Sequence, residues 1–289
     1  MEQKKINDLK LGERGAYLSI IAYLILSVFK YVVGIMANAE VLKADGLNNF
    51  TDIIASIAVL IGLKYAQKPA DGDHRYGHWK SETIASLIAS FIMAFVGLQV
   101  IMSAVESFFV GRNEAPDVIS VWAGIISAIV MIFVYRYNIN LGRKINSSAI
   151  KAAAKDNLSD ALVSVGAVVG IIASQFELYW IDTLAAFVVG LIICKTAWDI
   201  FNESVVYLTD GFDEDLLEQY QGDILKISGV QSVKSIKARN YGNTCIIDVV
   251  VGVNGSLEVV FAHEITDEIE EMLKRKYAVL DVFVHVEPE

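Results

Sequence analysis

Six long stretches of mostly apolar residues occupy the first two thirds of the chain. A helix needs about 20 apolar residues to cross a hydrocarbon layer about 30 Å thick, so each stretch predicts a transmembrane helix. The six predicted spans are residues 16–36, 41–66, 83–110, 118–140, 148–174 and 179–207. The second, fifth and sixth carry more polar residues than a simple membrane anchor requires, which indicates a role inside the bilayer.

Residues 208–289 follow a different, water-soluble pattern. Ile247, Val249 and Val251 alternate with other residues as in a β-strand, and Gly242-Asn243 favours a hairpin turn. The pattern predicts a helix, two strands, a helix and a strand at about 213–227, 231–239, 244–253, 257–277 and 279–286. The predicted fold class is therefore a six-helix membrane protein with a small α+β domain of αββαβ order. The predicted division is an N-terminal segment, a transmembrane domain and a C-terminal domain at residues 1–15, 16–207 and 208–289.

Composition and charge exclude several classes of protein. The chain has 289 residues, of which 54% are hydrophobic and 20% charged, with a mean hydropathy of +0.47. These values exclude a disordered chain, a collagen-like chain and a small disulfide scaffold. The net charge of −10, most of it in residues 208–289, argues against a nucleic-acid partner. Two cysteines, Cys194 and Cys245, are too few for a disulfide framework or a thiolate metal site.

The distribution of basic residues predicts the orientation in the membrane. Lysine and arginine are concentrated in the N-terminal segment and in the connections between spans two and three and between spans four and five. The opposite side has Arg112 and little else. Because cytoplasmic loops carry the excess of basic residues, both termini are predicted to be cytoplasmic. The N-terminus lacks a small-residue cleavage site close to the first apolar run, so a cleaved signal peptide is not predicted.

A short motif recurs in spans two and five. Residues 49–62 and 157–170 share Asn, Asp, Ser and Gly in register, at a constant offset of 108. The two spans run in opposite directions in the predicted topology. Inverted repeats of this kind are typical of transporters, whose binding sites lie near the bilayer midplane.

The polar residues of these two spans form a candidate cation site. Asn48 and Asp52 are four residues apart, as are Asp156 and Asp160, so each pair shares one helix face. A charged side chain at mid-bilayer costs about 2.5–3.5 kcal/mol, so three carboxylates require a bound cation, protons or both. The alternative is that Asn and protonated Asp side chains only join helices by hydrogen bonds.

Four motifs together resemble the cation diffusion facilitator family. They are ADGLNNFTDIIAS (44–56), YGHWKSE (76–82), KDNLSDALVS (155–164) and WIDTLAAFVVG (180–190). The resemblance covers nearly the whole chain. It implies export of a divalent metal from the cytoplasm in exchange for protons, in a homodimer, with a ferredoxin-like, metallochaperone-like C-terminal domain.

The family's transport site maps onto Asn48, Asp52, Asp156 and Asp160. Zinc exporters of the family typically have His at the position of Asp156, and this chain instead resembles the manganese-exporting branch. Oxygen ligands suit Mn²⁺ but do not by themselves separate it from Fe²⁺, Mg²⁺ or Ca²⁺. We therefore expect Mn²⁺ as the transported substrate, with Fe²⁺ second, and a zinc or broad-specificity exporter as the alternative. Without a histidine, Asp52, Asp156 and Asp160 are also expected to carry the protons.

Other residues match further positions of the family. Asp71, His74 and His78 match a second metal site in the loop after span two, although a simple polar loop is the competing interpretation. Lys80 and Asp210 match a charge interlock near the dimer axis, although Lys80 also fits an ordinary juxtamembrane lysine. His263, His285 and Glu287 match part of a regulatory zinc site, whose other positions hold Lys234 and Val250, so ordinary surface polarity is the alternative.

Three other classes of function compete with a transporter. An enzyme is not expected, because the chain has no nucleophile elbow, phosphate loop, HExxH or paired CxxC motif, and no catalytic cofactor is expected. A membrane-anchored metal sensor would not need three intramembrane acids. A cation channel would differ from an exporter by lacking uphill transport. The long His-rich loop of eukaryotic zinc exporters is absent from the sequence, which favours a bacterial plasma membrane.

Overall fold

The computed structural model describes residues 2–36, 40–110, 118–176, 178–277 and 279–289. Within these ranges the chain forms eight helices and three strands. They are α1 (Glu2–Met36), α2 (Glu40–Ala66), α3 (Ser81–Val110), α4 (Val118–Lys144), α5 (Ser148–Ser174), α6 (Tyr179–Leu208), α7 (Glu214–Ile224), β1 (Ser232–Tyr241), β2 (Thr244–Val253), α8 (Val259–Tyr277) and β3 (Asp281–Pro288).

The chain divides into two compact units. The helical unit is Asp8–Ser204, and the C-terminal unit consists of Met1–Asn7 with Val205–Glu289. Each predicted span corresponds to one of the helices α1 to α6. Among the residues that the structure describes, five helices are long and apolar enough to cross a membrane: Lys4–Met36, Ser81–Phe109, Ile119–Lys144, Ser148–Ser174 and Thr183–Leu208. Helix α2, which has 27 residues, corresponds to the second predicted span.

The first helix is longer than its apolar stretch. The prediction placed a span at 16–36 after a separate segment, whereas α1 begins at Glu2 and has 35 residues. Glu, Gln, Lys and Leu are strong helix formers and make up much of residues 2–11, so the helix extends well beyond the apolar part. Leu9, in this extension, is fully buried.

Helices of the helical unit cross at small residues. A Cβ added at Gly62 of α2 would lie 2.3 Å from the Cβ of Ala85 on α3, so these two backbones approach closely. At Gly46 the carbonyl oxygen of α2 accepts a hydrogen bond of 2.6 Å from the hydroxyl of Ser27 on α1. Small residues permit such close approaches, on which helix association in lipid depends.

A short turn joins α4 to α5 and determines where α5 begins. Asn146 adopts a left-handed conformation with φ of 51°, which asparagine tolerates better than most residues. Ser147 is the N-cap of α5, and its side-chain oxygen accepts a hydrogen bond of 3.1 Å from the N–H of Ile150. The cap therefore sets the register from which Asp156 and Asp160 follow along α5.

The C-terminal unit has the predicted αββαβ order. Its sheet has the order β1-β2-β3, in which β1 pairs antiparallel and β3 parallel to the central strand β2. Tyr241 pairs with Thr244 across the predicted turn, where Gly242 has φ of 63°. The core lies between the sheet and the helices α7 and α8, and its fully buried members include Ile224, Ile247, Val251, Ile269 and Leu273.

Candidate functional site

Two of the four predicted site residues, Asp156 and Asp160, contact one tyrosine hydroxyl. The Tyr23 hydroxyl on α1 donates a hydrogen bond to Oδ2 of Asp160 and lies 3.2 Å from Oδ2 of Asp156. Asp52 on α2 is also close enough to interact electrostatically with this hydroxyl. Tyr23 is fully buried, and Asp52 is 3% exposed. The structure thus brings the acids of α2 and α5 to one place, next to a residue of α1.

Asn48, the fourth predicted site residue, lies one helical turn before Asp52 in α2. Its side chain is outside the described part of the structure. The spacing of four residues places both positions on the same face of the helix.

An apolar cluster packs α1, α2, α4 and α5 together around these acids. It includes Tyr23, Ile53, Val134 and Ala161, all buried. Ile53 and Ala161 are the immediate neighbours of Asp52 and Asp160 in the sequence. Because these neighbours join one cluster, α2 and α5 lie next to each other at the level of the acids.

A hydrogen-bonded network that the sequence analysis missed extends from Tyr23 across α5 to α4. The side-chain amide of Asn157 donates to the Tyr23 hydroxyl at 3.1 Å. The carbonyl oxygen of Asn157 accepts from the Ser19 hydroxyl at 3.1 Å and from the Asn138 amide at 3.0 Å. The Asn138 amide also donates to the Ser19 hydroxyl at 2.8 Å.

Ser19, Asn138 and Asn157 are all fully buried. Buried polar groups in an apolar protein interior require such partners. In the sequence, the available sign of this network was the spacing of Ser19 and Tyr23, two polar residues four positions apart within an apolar span.

A buried glutamate lies where α3 and α5 begin. The Glu82 carboxylate is fully buried and lies close to the Ser147 hydroxyl and to the N–H groups of Ser148 and Ala149. Beside it, the Ser86 hydroxyl donates to the Ser148 hydroxyl at 3.0 Å. A negative charge at a helix N-terminus interacts favourably with the helix dipole. The Glu82 carboxyl group on α3 thus lies next to the first backbone N–H groups of α5.

The loop between α2 and α3 brings together Asp71, His74 and His78. One potential ligand atom from each lies within 4.8 Å of the others, the only such group of three in the described ranges. The His74 Nδ1 and His78 Nε2 atoms lie 3.3 and 3.4 Å from the two Asp71 carboxylate oxygens. Hydrogen bonds from His74, first from its backbone N–H, hold the pKa of Asp71 below its usual range.

His78 differs from the other two members of this loop group. Its ring is 5% exposed and packs edge-on against Tyr65 at the end of α2, with 4.9 Å between ring centres. The loop is therefore held in place by burial of His78, while Asp71 and His74 are exposed to solvent.

The predicted residues of the C-terminal unit lie on two faces. His263 on α8 lines a cavity together with Val284 and Val286 of β3. Side chains alternate along a strand, so His285 and Glu287 face away from that cavity. The His285 Nε2 atom lies 3.8 Å from Glu287, whose carboxylate also pairs with Lys234 at 3.1 Å.

The two residues of the predicted charge interlock belong to different units. Lys80 lies immediately before α3, and Asp210 lies in the turn after α6 with φ of 62°. The interlock itself stays a prediction.

Comparison with known proteins assigns the family. The profile of the cation efflux transmembrane domain matches residues 16–209, and that of the cation efflux protein cytoplasmic domain matches residues 212–289. The chain belongs to the cation efflux, or cation diffusion facilitator, family. This confirms the resemblance noted in the sequence. The family consists of divalent-cation exporters, so the chain is a transporter and not an enzyme.

Relatives from Bacillus subtilis (strain 168) match along the whole chain. The manganese efflux system protein MneS is 55% identical over 285 residues, 99% of this chain and 98% of its own length. The manganese efflux system protein MneP is 31% identical over 288 residues, 96% of this chain and 97% of its own length. A solved structure of the transporter CzrB is 26% identical, covers 27% of this chain and 99% of its own, and has a TM-score of 0.26.

Proposed function

We propose that this transporter exports Mn²⁺ from the cytoplasm across a bacterial plasma membrane in exchange for protons. The observation that carries the proposal is that Asp156 and Asp160 of α5 meet at the Tyr23 hydroxyl, with Asp52 of α2 near enough to interact with it electrostatically. The similarity to MneS and MneP, both named as manganese efflux proteins, supports the choice of metal. Fe²⁺ is the second candidate substrate.

The transported ion would bind to the side-chain oxygens of Asn48, Asp52, Asp156 and Asp160. Carboxylate and amide oxygens suit hard cations such as Mn²⁺, whereas zinc sites usually include imidazole or thiolate. Neither α2 nor α5 contains a His or Cys residue, which supports an all-oxygen site.

The same carboxylates would carry the protons. Negative charges at close range in an apolar surrounding are unfavourable unless a cation or protons accompany them. Facing the cytoplasm, the site would exchange its protons for Mn²⁺, and facing outward it would exchange Mn²⁺ for protons. Such acids would titrate as a group rather than one by one.

The proposed architecture has six spans, namely α2 and the five helices given above as long and apolar enough to cross a membrane. It retains the division into residues 1–15, 16–207 and 208–289, with both termini in the cytoplasm because of the basic loops. The match of residues 212–289 to the family's cytoplasmic dimerisation domain supports a homodimer. In this homodimer, Lys80 and Asp210 would form the charge interlock.

The loop group Asp71, His74 and His78 is proposed as a second metal site, because its three potential ligand atoms already lie close together. A C-terminal site of His263, His285 and Glu287 stays a prediction. Within one chain these residues are divided between two faces of β3, so the site would need a rearrangement or a second chain.

The test is transport by purified protein in vesicles with an acidic lumen and a trapped pH dye. We expect Mn²⁺ added outside to enter against its own gradient while the lumen becomes more alkaline. Asp52→Ala and Asp160→Ala are expected to abolish both signals, and the exposed Asp215→Ala serves as the control. Proton movement that survives in both site variants would refute the proposal, and strictly downhill Mn²⁺ movement would indicate a channel.

A second experiment tests the ligand assignment. Asp156→His introduces an imidazole, which favours zinc over manganese. Competitive flux of Mn²⁺, Fe²⁺, Zn²⁺ and Co²⁺ is expected to shift toward Zn²⁺ in this variant. Unchanged selectivity in a variant that still transports would contradict the role of Asp156 as a ligand.

A further inference from the structure

Tyr23 contacts two acids of the proposed site with a single hydroxyl group. The hydroxyl donates to Oδ2 of Asp160 and lies within hydrogen-bond distance of Oδ2 of Asp156. The side chain comes from α1, whereas the proposed metal ligands come from α2 and α5. The hydroxyl is therefore a candidate for a residue that acts on the metal site without being one of the four proposed ligands.

The surrounding network determines where this hydroxyl points. Its oxygen accepts a hydrogen bond from the Asn157 amide, which leaves its own proton directed toward the carboxylates. Asn157 is in turn held through its carbonyl oxygen by Ser19 and Asn138. Since all of these groups are buried, the orientation is set by the protein and not by water.

A metal ion would compete with the hydroxyl for the same carboxylate oxygens. A cation binds a carboxylate through the lone pairs that point into the site, and the tyrosine proton already uses lone pairs of Asp156 and Asp160. Hydrogen bonds to carboxylates are among the stronger ones in proteins. They stabilise the metal-free site, so part of the binding free energy of the ion is used to displace them.

We propose that Tyr23 is a positioning residue that holds Asp156 and Asp160 in the metal-free site and is displaced when the metal binds. The inference rests on the proposed function, because it takes Asp156 and Asp160 as metal ligands. Tyr23 weakens the binding of the ion and thereby speeds its release, which an exporter requires at every cycle.

Tyr23→Phe tests this role because it removes only the hydroxyl. The expected result is a decrease of about tenfold in KM for Mn²⁺, the equilibrium effect of one lost carboxylate hydrogen bond, together with a lower kcat. KM and kcat are measured from initial Mn²⁺ uptake into vesicles. The Mn²⁺ dissociation constant, measured by electron paramagnetic resonance on the detergent-solubilised protein, is expected to fall by a similar factor.

Two variants separate this effect from a loss of structure. Tyr31→Phe removes an exposed hydroxyl from the same helix and is expected to behave as the wild type. Ser86→Ala removes a buried hydrogen bond between α3 and α5, to the Ser148 hydroxyl, and lies outside the network of Tyr23. It is expected to lower the melting temperature, as Tyr23→Phe does, but not to lower KM or the dissociation constant.

The outcomes distinguish failure of this inference from failure of the proposed function. Unchanged or higher values of KM and of the dissociation constant in folded Tyr23→Phe would overturn the inference, as would an equal decrease in Ser86→Ala. If the wild type did not transport Mn²⁺, or if Asp160→Ala retained transport, the proposed function itself would be wrong.

Discussion

The crossing of α2 and α3 at Gly62 yields a prediction whose size follows from one distance. In Gly62→Ala the new Cβ would lie 2.3 Å from the Cβ of Ala85. Carbon atoms in contact are normally about 3.5–4.0 Å apart, so the two helices must separate by more than about 1 Å. Overpacking of this kind costs about 1–3 kcal/mol.

Helix propensity partly offsets this cost and must be separated from it. Replacing glycine by alanine in a helix stabilises it by about 1 kcal/mol, and Ala85→Gly has the opposite effect. In the double variant, Gly62→Ala with Ala85→Gly, the two propensity effects cancel and one methyl group again occupies the crossing. The Cβ at position 62 would still lie 3.1 Å from the backbone oxygen of Ser81. We therefore expect the double variant to be more stable than Gly62→Ala, with a coupling free energy of about 1–3 kcal/mol between the two substitutions.

The assay is unfolding of the purified full-length protein by sodium dodecyl sulfate, for the wild type, both single variants and the double variant. Gly222→Ala in α7 is the control. A Cβ there would meet nothing within 4 Å, so this substitution changes stability only through the higher helix propensity of alanine. Transport is expected to recover in the double variant, since Asp52 lies on the same helix as Gly62. A coupling free energy below about 0.5 kcal/mol would show that these residues do not meet.

Three further predictions concern other parts of the chain. Glu82→Ala removes a carboxylate from the beginning of α5 and is expected to cost about 1–3 kcal/mol, with a smaller loss in Glu82→Gln, measured by thermal melting. Ile269→Ala creates a cavity in the C-terminal unit at a cost of about 2–5 kcal/mol, seen as faster amide exchange in β2, whereas the exposed Val260→Ala should have little effect. Hydrogen bonds, first from Lys226, lower the pKa of Asp223, so its stabilisation is present above about pH 4 and is lost on further acidification. Amide exchange rates of Asp223→Asn and the wild type are compared at equal pH. The variant should exchange faster near neutral pH, and the ratio of the two rates should approach one in acid. A ratio that does not change with pH would contradict this prediction.

Local patterns were sufficient for most of the secondary structure. The Gly242-Asn243 turn and the alternation of Ile247, Val249 and Val251 led to the observed hairpin, because both depend on neighbouring residues alone. The predicted first span followed the apolar stretch, whereas the helix α1 also includes the charged residues from Glu2 onward. Apolar residues show which part of a helix can cross the lipid, but they do not show at which residue the helix itself begins.

The candidate site was only partly accessible from the sequence. The spacing of four residues and the repeat identified the acids of α2 and α5, because they recur in similar positions of two helices. Tyr23, Ser19 and Asn138 were missed, since a single polar residue in an apolar span has many possible partners. Glu82 was missed for the same reason, as its surroundings come from residues 147–149.

By itself, the sequence determined that the chain has six apolar stretches and a water-soluble end, and that acids recur at helical spacing within two of these stretches. Periodicity and burial of apolar side chains act over a few residues, so they can be recognised along the chain. Only the tertiary structure decided which helix faces meet, and with them the hydrogen bonds from Tyr23 to the acids of α5. Those contacts join residues more than 130 positions apart, and they depend on how close-packed helices rotate against one another.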